Sequence, residues 1–122
     1  MRHMIVYFLL LGLMACAAKP STVEAPLGEE EFVAVLTDIR LLEGMYSQNY
    51  GGINRVQLAS WYTQIFKRHG VSRDDFQTSL MAYNLDPDRM LRLEEAVLER
   101  LNVLEAGSQM RNESDTLSVG EK

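Results

Sequence analysis

Between residues 29 and 106, apolar side chains recur at three- and four-residue spacing with almost no break. That period lays them along one face of an α-helix, and no run shows the two-residue alternation of a half-buried strand. A chain so patterned must bury its apolar surface helix against helix. The first segment, about Glu29 to Tyr46, carries Phe32, Val35, Leu36, Ile39, Leu42 and Tyr46 on one face. Glu29, Glu30 and Glu31 sit in its first turn, where the positive end of the helix dipole favours them. Asn49 to Asn54, with Gly51-Gly52, reads as a loop. A second helix runs from about Arg55 to His69, with Leu58, Tyr62 and Ile65 inward and Trp61 and Phe66 beside them. Gly70 ends it, because glycine adopts the left-handed C′ conformation at little cost.

Ser72 is placed to cap a third helix, with Asp75 three residues on and Phe76, Leu80 and Tyr83 inward. Asp86-Pro87 restarts the chain as an aspartate N-cap followed by proline at N1. The fourth helix is expected from Pro87 to about Ala106. Met90, Leu93, Val97, Leu101 and Leu104 line its inner face, with Leu91 and Leu98 beside it. The expected fold is all-α: a compact bundle of about four helices behind a lipidated tether.

The tether is read from Cys16. A basic start at Arg2 and His3 precedes an apolar run from Met4 to Met14, then Ala15 and Cys16. A short n-region, a brief h-region and a small residue before the cut make a secretory signal. A cysteine directly after it makes the pattern that of a bacterial lipoprotein signal, in which the cysteine carries the acyl chains. The run is too short to span a bilayer, which takes roughly 20 residues. The expected organisation is a signal peptide over 1–15, lipidated Cys16 and a flexible tether over 16–28, a helical domain over 29–106 and a disordered tail over 107–122.

Removing residues 1–15 takes away one of the 12 Lys+Arg and none of the 17 Asp+Glu, so 11 basic residues face 17 acidic ones, a net −6. Such a balance argues against nucleic acid, whose binding is driven by clustered Lys and Arg, and against a polybasic hold on anionic lipid. Acyl chains are then the expected membrane link. Each buried CH₂ contributes about 0.8 kcal/mol, and stable anchoring takes more than one chain. Cys16 is the one cysteine in the chain, so no disulfide forms within it. A domain this small buries only about 60% of its unfolded surface and depends on good packing.

Most charges fall on outer faces. Glu43, within the first helix's stripe, and His69, continuing the second's, do not. A buried charge needs a partner, so Glu43 or Asp38 is expected to pair with His69, or with an arginine such as Arg68 or Arg73. Asp38, Glu43 and His69 are thus a candidate polar cluster, structural or functional. Ser79, between Phe76 and Tyr83, reads as a close-packing position, since a serine nucleophile needs a base and an oxyanion site. One histidine after the signal and no free thiol leave no zinc pattern, and no Gly-rich phosphate loop or Ca²⁺ loop is present. No metal, cofactor or catalytic residue is therefore expected. Ile65 to Phe76 has the rhythm of a helix-turn-helix, but Asp74-Asp75 at the start of its second helix would repel phosphates.

The same stretch, Phe66-Lys67-Arg68-His69-Gly70-Val71-Ser72 followed by Phe76, Ser79-Leu80, Tyr83 and Pro87, resembles a family of small Bacteroidota lipoproteins catalogued as domain of unknown function 4296. Val35 to Glu43 is similar to the family's L-x-D-I-H-L-A-E segment, with Arg40 where histidine is common. The resemblance covers about residues 30–101. It implies Phe66, His69, Gly70, Ser72, Phe76, Ser79 and Tyr83 as signature positions, and no activity. It also implies an address. Surface-bound lipoproteins of these bacteria usually carry lysine and acidic residues just after the cysteine, whereas here Ala17-Ala18-Lys19-Pro20 follows and the first acid is Glu24. The expected location is the periplasmic leaflet of the outer membrane.

The function expected from these features is a non-catalytic interaction or accessory module of a cell-envelope complex, with a protein partner. Tyr46 and Tyr50 are its candidate contacts, since aromatic residues dominate binding hot spots. The alternatives are a small-ligand or lipid carrier and an enzyme using Glu43, Asp38 and His69. What separates them is whether the inward polar groups are sealed in a core or line an opening.

Overall fold

The computed structural model describes residues 23–119. The segment read as a signal peptide, Cys16 and the first part of the segment read as a tether lie outside the described residues. Among the described residues four α-helices occur in order: α1 (Glu29–Ser47), α2 (Arg55–His69), α3 (Arg73–Asn84) and α4 (Pro87–Val119). A 3₁₀ turn over Tyr50–Gly52 joins the first two. No strand occurs among the described residues, and the helices pack as a compact bundle, as the apolar period requires.

The first helix is the axis of the bundle. It packs against both α2 and α4, while α3 packs against α4. Phe32, Val33, Val35, Leu36, Thr37, Ile39 and Leu42 are all buried, so the middle of α1 is enclosed well beyond a single stripe. Thr37 tolerates this because its Oγ1 donates to Val33 O at 2.7 Å. Around Phe32 gather Phe76, stacked at 5.4 Å between centroids, and Tyr83, tilted at 4.7 Å; Phe66 meets Phe76 at 5.6 Å. Such pairs contribute about 0.5–1.5 kcal/mol each beyond their buried area.

The helix ends follow local chemistry. Asn54 caps α2 by accepting from the amides of Val56 and Gln57, and Gln57 Oε1 accepts from the Asn54 amide, closing a capping box. Gly70 stands at φ +66° and lets Val71 N bond Phe66 O at 3.0 Å. Ser72 Oγ accepts from Asp75 N at 3.0 Å, and Asp86 Oδ1 accepts from Arg89 N at 3.0 Å.

Two expected boundaries are corrected. The domain does not begin at residue 29. Leu27 is buried in the core, and its backbone is held on both sides: its N–H donates to Ser79 Oγ at 2.9 Å, and its carbonyl accepts from Tyr83 OH at 2.6 Å. The end of the segment read as tether is a strap across α3, because an apolar side chain and two paired backbone groups gain more by docking than by staying solvated. At the other end, α4 does not stop near Ala106. It continues through Gly107 to Val119, so residues 107–119 are helical. One interior glycine costs only about 1 kcal/mol against alanine, and Gln109, Met110, Arg111 and Glu113 around it are good helix formers. Leu91, Leu98 and Leu104, read as core or its margin, are exposed, and so is Tyr46.

Candidate functional site

The polar cluster forms, with one change of membership. His69 Nε2 lies 2.8 Å from Asp38 Oδ2, and Arg68 Nη1 lies 3.4 Å from the same oxygen. An ionised carboxylate only accepts, so the proton on this bond is carried by Nε2. Asp38 comes from the α1 face turned to α2, and the last turn of α2 delivers Arg68 and His69 to it before Gly70 turns the chain away. Both members of the pair are about one-fifth to one-quarter exposed.

Glu43 is not part of this cluster. Five residues after Asp38 it is turned by about 140° around α1. There Oε2 accepts from Arg40 Nη1 at 3.1 Å and Oε1 accepts from Tyr62 OH at 3.1 Å. Burial, and then the Glu43 carboxylate, push the Tyr62 phenol above its ordinary value. Arg40 also donates to Glu94 Oε1 at 2.8 Å, tying α1 to α4; that bond is the main cause raising its guanidinium further. The residue standing where the family segment has histidine is thus an inter-helix tie. Arg73 joins no acidic residue among the described residues; its guanidinium lies over the Phe66 ring at 5.6 Å.

The Asp38–His69 pair is not sealed in the core. It stands where two grooves meet along α1. One, of about 240 Å³, runs between α1 and α2 and is lined by Leu41, Leu42, Met45, Trp61, Gln64, Ile65 and Arg68, with Asp38 at its edge. The other, of about 590 Å³, runs between α1 and α4 past His69 and is lined by Ala34, Thr37, Ala96, Glu99, Arg100, Val103 and Leu104. Tyr46 is exposed near the end of α1. Tyr50 begins the 3₁₀ turn, and its side chain lies outside what the structure describes. Cys16 lies there too. Among the described residues no group of three or more His, Cys, Asp or Glu is placed to hold a metal, and no helix is long and apolar enough to cross a membrane.

The remaining signature positions build the fold around the α2–α3 turn. Phe66 and Phe76 form the aromatic core with Phe32, Gly70 supplies the left-handed cap, and Ser72 starts α3. Ser79 and Tyr83 hold the Leu27 strap, and Ser79 Oγ also donates to Asp75 O at 2.7 Å. With donor and acceptor both engaged, Ser79 is a packing and strapping residue. The strap itself went unseen in the sequence. Leu27, an isolated apolar residue after Pro26, was its one signal.

No curated protein and no solved structure matches the chain. A family model does match it, over residues 24–106, a span that takes in the strap and stops short of the end of α4. The chain therefore belongs to the family described as a domain of unknown function, DUF4296.

Proposed function

We propose that the protein is a non-catalytic interaction module of the cell envelope, acylated at Cys16 and held at the periplasmic face of the outer membrane. Its contact surface is the α1–α2 groove with Tyr46 beside it. The observation that carries this reading is the exposure of large apolar side chains on α1 here: Leu41, in the groove wall with half-buried Trp61 and Met45, is 46% exposed, and Tyr46, next to Met45 in the chain, is 37% exposed. Aromatic and apolar anchors around a shallow groove are the usual material of a protein-binding hot spot. Arg68, 70% exposed and bound only at 3.4 Å to Asp38, retains donors for a carboxylate on the partner. The surface fits a protein segment that offers an apolar anchor next to an acidic residue.

A second reading, carriage of a small ligand, draws on the larger groove, whose volume falls within the range of about 300–1,000 Å³ usual for ligand sites. Its walls combine Ala34, Ala96, Val103 and Leu104 with Asp38, Glu99 and Arg100, which suits a ligand with both an apolar and a charged part. A third reading, an enzyme using Glu43, Asp38 and His69 as one set, finds less support, because the Glu43 carboxylate is turned away from the other two to Tyr62 and Arg40.

Two experiments test the proposal. Labelling with an alkyne-tagged fatty acid should mark the wild-type chain in the outer-membrane fraction and not Cys16→Ala; equal labelling of the variant contradicts the anchor. Affinity capture from detergent-solubilised envelopes should recover one partner with wild type and with Leu98→Asp, and lose it with Leu41→Asp. Equal recovery with Leu41→Asp contradicts the assigned surface.

A further inference from the structure

The two helices joined at Gly70 pack on different neighbours, α2 on α1 and α3 on α4. Between them, over α1, lies a cleft of about 230 Å³. Its floor is made of core side chains: Leu36 and Ile39 of α1, Phe66 of α2 and Phe76 of α3, all buried. An apolar cavity of about 150 Å³ suffices to take up benzene. The cleft therefore has room for one ring or one short branched chain, and not for a long acyl chain.

Its rim is polar, and the charges there do not balance. Among the lining residues, Arg40 and Arg73 face a single carboxylate, that of Glu43. Arg40 is committed, because it donates to Glu43 and to Glu94. Both Glu43 oxygens accept, one from Arg40 and one from Tyr62. Arg73 is the cation left over: it has no acidic partner among the described residues, and the Phe66 ring keeps its guanidinium at the cleft. Gln77 follows four residues later, on the same face of α3. Its amide also lines the cleft and makes no hydrogen bond among the described residues. Asp74 and Asp75 are turned about 100° and 200° from Arg73 around the helix, and neither lines the cleft.

We propose that this cleft binds a small ionised carboxylic acid, its carboxylate on Arg73 and Gln77 and its body, one aromatic ring or a short branched chain, on the apolar floor. A guanidinium fork matches a carboxylate with two parallel bonds, and the Gln77 amide one turn on can donate to the same group. Apolar walls that take the body and a few polar groups that fix its orientation are the usual division of labour in a ligand site. An amine would meet a like charge at Arg73, and a neutral ligand would leave the guanidinium without a counter-charge. The site shares no lining residue with either groove at Asp38 and depends on neither reading of them.

The test is a titration of the isotope-labelled full-length chain with phenylpropionate, read by NMR shifts. Saturable shifts are expected at the Gln77 side-chain amide and along the facing turns of α2 and α3. Phenylpropionamide, the uncharged analogue, should bind severalfold more weakly. Arg73→Gln should weaken the acid severalfold and leave the amide unchanged, with the fold checked by its melt. Arg55→Gln, the same loss of charge at the start of α2 and off the cleft wall, should change neither. Leu80→Trp, which fills the half-buried edge of the cleft while keeping Arg73, should block both probes. An acetylated tetrapeptide ending in phenylalanine offers the same groups on a chain end and should bind no better than the free acid. Absence of saturable shifts at Gln77, equal binding of acid and amide, indifference to Arg73→Gln or to Leu80→Trp, or tighter binding of the tetrapeptide overturns the proposal.

Discussion

Asp38, at the meeting of the two grooves, holds the end of α2 to α1 with a charge-assisted bond to His69. Hydrogen bonds to charged groups contribute about 1.5–3 kcal/mol, and partial exposure here reduces that. Asp38→Asn is expected to cost about 1 kcal/mol in urea unfolding, with most of the loss absent in a His69→Gln background. Glu43→Gln should cost less, about 0.5 kcal/mol or under, because Glu43 and Arg40 are both 44% exposed at the side chain. Ser79 is fully buried and serves the Leu27 amide, so Ser79→Ala orphans a donor and is expected to cost about 1–3 kcal/mol. That variant should also become sensitive to proteolysis at the strap; a melt indistinguishable from wild type would contradict the strap's role. The need for Asp38 or Glu43 to find a partner was legible from their helix faces. Which of them meets His69 was not, because that depends on how α2 rotates against α1, which no spacing within either helix records.

At the scale of elements, helix type, number and most caps followed from local rules, because Gly70, Ser72 and Asp86-Pro87 act within one turn of themselves. What escaped were features set by neighbours. Val33 and Thr37 are buried because α2 and α4 enclose α1 from two sides, and Leu104 is exposed because no described element covers α4 there. The glycines make this testable. Gly70 sits at φ +66°, where a Cβ meets no atom within 4 Å but is strained by the backbone itself. Gly70→Ala should therefore cost about 1–2 kcal/mol. Gly44, inside α1 with equally open surroundings, should gain about 0.4–1 kcal/mol on change to Ala. Chemical denaturation of the two variants reads both signs; a shared sign would contradict the local geometry.

Taken together, the described residues form a helical domain strapped at its N-terminal edge by Leu27 and extended at the other end of α4. Burial raises the Tyr83 phenol above its ordinary value, as burial and Glu43 do for Tyr62. A raised folded value means that the neutral phenols' contribution is complete below the unfolded value of about 10 and is lost as pH climbs through the folded values. Thermal stability should accordingly fall above about pH 10, and the fall should shrink in Tyr62→Phe; a pH-independent melt across that range would contradict it. The address and the contact surface are claims of another kind, since a partner is not written in a fold. The most direct measurement places a photo-crosslinking residue at Tyr46 or at Leu98 in the full-length chain and irradiates intact cells. The account predicts one recurrent protein adduct from position 46, lost with Leu41→Asp, and none from position 98. Adducts to lipid alone from position 46, or the same adducts from both positions, would contradict an interaction module working through the α1–α2 groove.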